Sequence, residues 1–266
     1  MARHRRRVID GFLGEILRGA ETRSPAGAIA PQTTSAEIAS LRELDYASAL
    51  RKCLGRQQIN ELLRIARKKV WPQLNRRGVE LIAPNEFPKR WSGLGVDFRT
   101  ADWAWPEGLA LVGLYIKRTK GLLERPLICV NTAHHPLMVG AAFDHEMGHH
   151  LITQIFDTRK EPARFLTYTG YADHLHDPEE LAADILVALA GYPQDEARRL
   201  FAAPNAAGDA RRTAKASALD KAYSYVASRY GLDLEANLPI EKKLQCLAAL
   251  IHYTRLRQAV LEEYGI

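Results

Sequence analysis

A helix that is apolar at both ends yet carries two acids and three imidazoles in its middle has few ways to fold. Residues 141–156, AAFDHEMGHHLITQIF, read as such a helix. Ala141, Ala142 and Phe143 precede the polar cluster, and Leu151, Ile152, Ile155 and Phe156 follow it. Flanks of this kind predict burial, and buried imidazoles and carboxylates need partners. His145 and His149 are four residues apart, so they project from one helix face and can reach a single ion. Glu146, turned by about a hundred degrees, can lie beside that ion without binding it, and His150 faces away. This is H-E-x-x-H, in which two neutral imidazoles bind zinc and the glutamate is the general base. Gly148 costs about 1 kcal/mol relative to alanine inside a helix, which points to a close approach by another element there.

Two histidines leave a metal site incomplete, since catalytic zinc commonly takes three protein ligands and keeps a fourth position for water. A third histidine six residues on, preceded by a glycine three on, is excluded because Ile155 and Ile152 occupy those positions. A later segment, DPEELAADILVALAGYP, offers a carboxylate instead. Glu180 and Asp184 share a helix face. Glu180 can ligate while Asp184 accepts the Nδ1–H of a ligating histidine and fixes its tautomer. Ala182 and Ala183 leave room for close helix packing. The competing reading of Glu180 is a capping box, with Asp177 as the N-cap and Pro178 at the first helical position. Glu179 is the next candidate ligand, followed by His174 and His176 in the preceding loop.

The rest of the chain frames these two segments. Its 266 residues suffice for one large domain with small additions. No apolar run approaches the roughly 18–20 residues needed to span a bilayer, so no membrane segment is expected. Three dispersed cysteines, Cys53, Cys129 and Cys246, suggest neither a disulfide framework nor a cysteine metal site, and a cytoplasmic setting is expected. Residues 1–77 hold 16 Lys and Arg against 7 Asp and Glu, a balance of +9, while the remainder carries −3. That basic quarter could touch nucleic acid; the plainer reading is a solvated tail and helix face. Helices are expected from Ser35 through Leu50, over residues 57–70, 137–156, 177–189 and 215–230, and over 239–262. Strands are expected at 78–84, 109–118 and 125–132, the last two joined as a hairpin.

Read together, the two chemical segments resemble the ImmA/IrrE family of metallopeptidases over about residues 78–193. The resemblance rests on Asn131 at the end of a strand, then His145-Glu146-Met147-Gly148-His149, then Glu180-Leu181-Ala182-Ala183-Asp184 with Pro193 beyond. It implies an α+β fold: a mostly helical zincin-like core, a small three-stranded sheet before the H-E-x-x-H helix, and N- and C-terminal helices. The expected domains are a basic arm and linker (1–34), the metallopeptidase domain (35–200) and a C-terminal helical extension (201–266). The family implies a cytosolic protease that cuts a helix-turn-helix repressor or antitoxin, with roles in transcription regulation and stress response.

The mechanism expected is hydrolysis of a peptide bond by metal-activated water. His145, His149 and Glu180 hold zinc, or manganese as the alternative, and Glu146 is the catalytic base. Tyr168, Tyr171, His174 and His176 stand as oxyanion donors without a choice among them. The rival from another class is a non-catalytic regulator on the same scaffold, binding a protein or DNA through the basic N-terminal region. A di-iron site would need a second Glu-x-x-His on a four-helix bundle, and the chain has none.

Overall fold

The computed structural model describes residues 35–70, 95–101, 113–117, 123–131, 136–153, 155–156, 170–190 and 240–265. In chain order the elements are α1 (Ser35–Glu43), α2 (Tyr46–Cys53), α3 (Arg56–Ile65) with a π-helical turn at Ala66–Val70, β1 (Asp97–Ala101), β2 (Gly113–Ile116), β3 (Leu127–Asn131), α4 (Pro136–Ile152), α5 (Tyr171–His174), α6 (Pro178–Leu189) and α7 (Ile240–Tyr264). The described chain is mostly helical with one small mixed sheet, an α+β arrangement. No helix among the described residues is long and apolar enough to cross a membrane.

Helix boundaries follow local chemistry. The helix expected from Ser35 through Leu50 is two helices. Asp45 breaks it, because its side chain accepts the Ser48 N–H at 2.9 Å and caps a new start. At α3 the Gln58 side chain accepts the Gly55 N–H at 2.8 Å. At α6 Asp177 accepts from the N–H groups of Glu179 and Glu180, and Pro178 occupies the first turn, where its missing N–H costs nothing.

The sheet has the order β1-β3-β2, with β3 parallel to β1 and antiparallel to β2. The central strand, Leu-Ile-Cys-Val-Asn, is buried along its whole length, as an apolar run between two neighbours should be. The hairpin joining the second and third expected strands is present, with Tyr115 opposite Ile128. The other member is β1 at 97–101, which the sequence reading did not anticipate. Its residues, DFRTA, include three polar side chains, and among the described residues it pairs with β3 alone. The strand expected at 78–84 and the helix expected at 215–230 lie outside the described residues.

The core forms where α4 lies between the sheet and α6. Phe98 of β1 meets Phe143 of α4 edge to face at 5.1 Å. From Glu180 to Leu189 every residue of α6 is buried, which requires neighbours all round. They are chiefly α4 and α7, joined by α5, the π turn, α2 and α3. Thus α7 shares this core, also packing along α1 and α2.

The glycine inside α4 has a structural reason. A Cβ built on Gly148 would lie 3.0 Å from Ala183 Cα and 3.1 Å from Ala183 O, both backbone atoms of α6. The two helices are therefore as close as glycine permits, and the separation sets how far a side chain on α6 must reach to α4. Gly148→Ala should destabilise the chain by about 1–3 kcal/mol in urea unfolding and weaken divalent-ion binding. Unchanged values in both would show that the approach is not constrained there.

Candidate metal centre

His145 and His149 lie one turn apart on α4, their rings 4.7 Å between centroids and nearly perpendicular. Their Nε2 atoms are 3.0 Å apart. Glu180, in the first turn of α6, brings Oε2 to 2.9 Å from His145 Nε2 and 3.3 Å from His149 Nε2. Its backbone N–H faces the Asp177 cap while its carboxylate turns to the imidazoles. Glu180 therefore sits in the capped turn without spending its side chain on the cap.

The three converging atoms fit an ion. A tetrahedral zinc ion with bonds of about 2.0–2.1 Å spaces its ligand atoms by about 3.3–3.4 Å, close to the triangle observed. Lone-pair counting agrees. His145 donates Nδ1–H to Asp184 Oδ1 at 2.7 Å, so in its neutral form Nε2 carries a lone pair directed at the Glu180 carboxylate oxygen. A cation or a proton between those two atoms relieves the repulsion, and His149 Nε2 lies within reach of the same point. The protein's own charges favour this: burial opposes a charge on His145, but the Asp184 and Glu180 carboxylates overcome it and raise its pKa well above the ordinary value. Burial likewise works against an ionised Glu180, and His149 with His145 outweighs it, holding that carboxyl well below its ordinary range.

Two groups among the described residues bring three ligand atoms within 4.8 Å of one another: His145, His149 and Glu180, and His145, His174 and Asp184. The second is already satisfied by hydrogen. Asp184, with no exposed surface, takes His145 Nδ1 and the Tyr253 hydroxyl on Oδ1, at 2.7 and 3.2 Å, and His174 Nδ1 and His252 Nε2 on Oδ2, at 2.7 and 2.8 Å. The first group is therefore the candidate centre, and Glu179 belongs to neither group.

Glu146 lies off the triangle, against β2. A Cβ on Gly113 would be 2.9 Å from both Glu146 Cγ and Oε1, so a glycine at that register makes the space for the carboxyl. Burial raises the Glu146 pKa, with His149 and His145 offsetting part of the rise. His150 turns to β2, where Nδ1 is 3.1 Å from the Tyr115 hydroxyl. Of the candidate donors, His174 lies closest, its ring 5.4 Å from that of His145. Tyr171 is buried with its ring stacked on His252 at 4.5 Å. His176 is exposed, and Tyr168 is outside the described residues.

The chain matches no family model, no curated protein and no solved structure.

The sequence reading did not find His252, Tyr253 or Tyr46. One signal was available, an imidazole inside the apolar run Ala-Leu-Ile-His-Tyr, which implies a buried polar group with a partner. The partner lies 68 residues away, and no local pattern names it.

Two outcomes test the site. Removing the shared acceptor by Asp184→Ala strands three imidazoles and a hydroxyl, and should destabilise the fold by about 3–5 kcal/mol in urea unfolding; a loss below 1 kcal/mol would contradict the network. Zn2+ at a hundred times its dissociation constant should stabilise the chain by about 2.7 kcal/mol. His149→Ala should abolish that gain, and an equal gain in the variant would place the ion elsewhere.

Proposed function

We propose that this chain is a metal-dependent endopeptidase of the ImmA/IrrE type with a zincin-like core, using zinc, with manganese as the alternative ion. The observation that carries the reading is the convergence of His145, His149 and Glu180 from two helices, with Glu146 set beside them and outside the ligand triangle. A buried carboxyl beside the ligand triangle and outside it is placed as a general base for hydrolysis would be.

When bound, the ion would polarise the scissile carbonyl and acidify the attacking water. The other tasks fall to the chain. Glu146 takes a proton from that water and returns it to the departing amine nitrogen. Gly113 keeps the Glu146 carboxyl seated against β2. Asp184 holds His145 in the tautomer that directs Nε2 toward Glu180 and His149. His174, fixed through Nδ1 by the same carboxylate, is the best supported of the donors for the developing oxyanion. The substrate class follows from the resemblance: a protein such as a helix-turn-helix repressor or an antitoxin, cut in the cytoplasm to release transcription under stress.

The test uses the full chain loaded with Zn2+ and a fluorogenic peptide library. Glu146→Gln should keep its zinc and lose cleavage by at least about a hundredfold. Gly113→Ala should keep zinc and lose part of the rate, since the added methyl displaces the carboxyl. A Glu146→Gln variant that cuts as fast as the parent would remove the base from the mechanism. A zinc-loaded parent that cuts nothing in the library or in a candidate repressor would favour a binding role on the same scaffold.

A further inference from the structure

The helix α7 contributes a side chain to the centre that no ligand motif includes. His252 has no exposed surface. It donates from Nε2 to Asp184 Oδ2 at 2.8 Å, and its Nδ1 lies 3.1 Å from the Tyr46 hydroxyl of α2. Tyr171 stacks on the ring at 4.5 Å with an interplanar angle of 21°. Both nitrogens and one face are thereby committed, and the ring has a single orientation.

Its surroundings also favour the neutral form. Burial lowers the His252 pKa below its ordinary value despite the attraction of Asp184. Burial holds the Tyr46 phenol well above its usual range, so it stays protonated. A neutral His252 with its proton on Nε2 then accepts from the Tyr46 O–H. The relay runs in one direction: Tyr46 O–H to His252 Nδ1, and His252 Nε2–H to Asp184.

Asp184 needs this support. A carboxylate turns readily about its last torsion, which has no sharp staggered wells. The His145 contact on Oδ1 alone would leave the other oxygen free to swing. Donors on Oδ2 stop that rotation, and His252 brings one of them from an element outside the α4, α5 and α6 cluster. A partner that fixes the tautomer of a metal-binding histidine also raises its basicity as a ligand.

We propose that His252 is a positioning residue of the metal centre, acting through Asp184 to hold His145 Nε2 toward His149 and Glu180, with Tyr46 setting the tautomer of His252. This rests on the metal-binding part of the function proposed above and is independent of peptidase activity. It also makes α7 part of the site, so that the centre is assembled from α2, α4, α5, α6 and α7.

The experiment compares the full-length parent with His252→Leu, His252→Gln and His252→Asn. Zn2+ affinity is measured by competition with a chromophoric chelator, and the visible bands of the Co2+-loaded protein report ligand geometry. His252→Leu should lose about 10–100-fold in Zn2+ affinity and shift the Co2+ bands. His252→Gln carries an amide nitrogen at the reach of Nε2 and should restore most of the affinity and the parental bands. His252→Asn is too short to reach Asp184 and should behave like the leucine variant. A folded His252→Leu with parental affinity and parental bands overturns the proposal. Should His252→Leu fail to fold, equal affinity and equal spectra in the Gln and Asn variants overturn it instead. A parent that binds neither Zn2+ nor Co2+ overturns the metal reading and this inference together, whereas a parent that binds with no effect of any His252 variant overturns this inference alone.

Discussion

The Asp184 carboxylate is wholly buried, and the candidate centre is organised around it. Taking an ion of that size out of water costs several kcal/mol after relaxation, and only well-placed donors recover the loss. Asp184 has four, from three separate helices: His145 on α4, His174 on α5, and His252 with Tyr253 on α7. Burial alone would raise its pKa; His174, His145 and His252 together hold it well below the ordinary value. The charge is thus permanent over the neutral range, and each surrounding imidazole must turn a nitrogen toward it. For His145, that requirement leaves Nε2 directed at Glu180 and His149.

Helix separation is the second constraint, and it acts through small residues. Glu180 can meet the imidazoles of α4 because Gly148 lets the backbone of α6 approach at Ala183. A second glycine, Gly113 on β2, makes room in the same way for the Glu146 side chain. The helix bearing the motif is held between two elements at separations where an added methyl would force its neighbours to shift. Its polar residues therefore sort by face: His145 and His149 toward α6, Glu146 and His150 toward β2.

That sorting explains why the centre was largely legible in the sequence. A helix repeats every 3.6 residues, so His145 with His149, and Glu180 with Asp184, declare a shared face from spacing alone. Gly148 announced a close approach through its cost in a helix, and Ala183 proved to be the neighbour. The capping reading of Glu180 could not be set aside from sequence, because Asp177 does cap α6; only the direction of the Glu180 side chain separates the two. What lay out of reach was contact across long separations. Tyr46 and His252 touch over 206 residues, and neither carries a local signature of the other. In the fold, the buried strand β3 and the long helices followed their apolar patterns. β1 did not, because its five residues carry three polar side chains and give no apolar run to read. The break at Asp45 was missed because apolar spacing runs through it and hides a new cap.

The account stands on three donor atoms from α4 and α6 meeting at one ion. Crystals of the full chain grown with Zn2+, measured on both sides of the zinc absorption edge, locate that ion directly. The account predicts one anomalous peak bonded to His145 Nε2, His149 Nε2 and a Glu180 carboxylate oxygen at about 2.0–2.2 Å, with His252 still donating to Asp184. A peak held by other residues, or no peak at this position in zinc-saturated crystals, would contradict it.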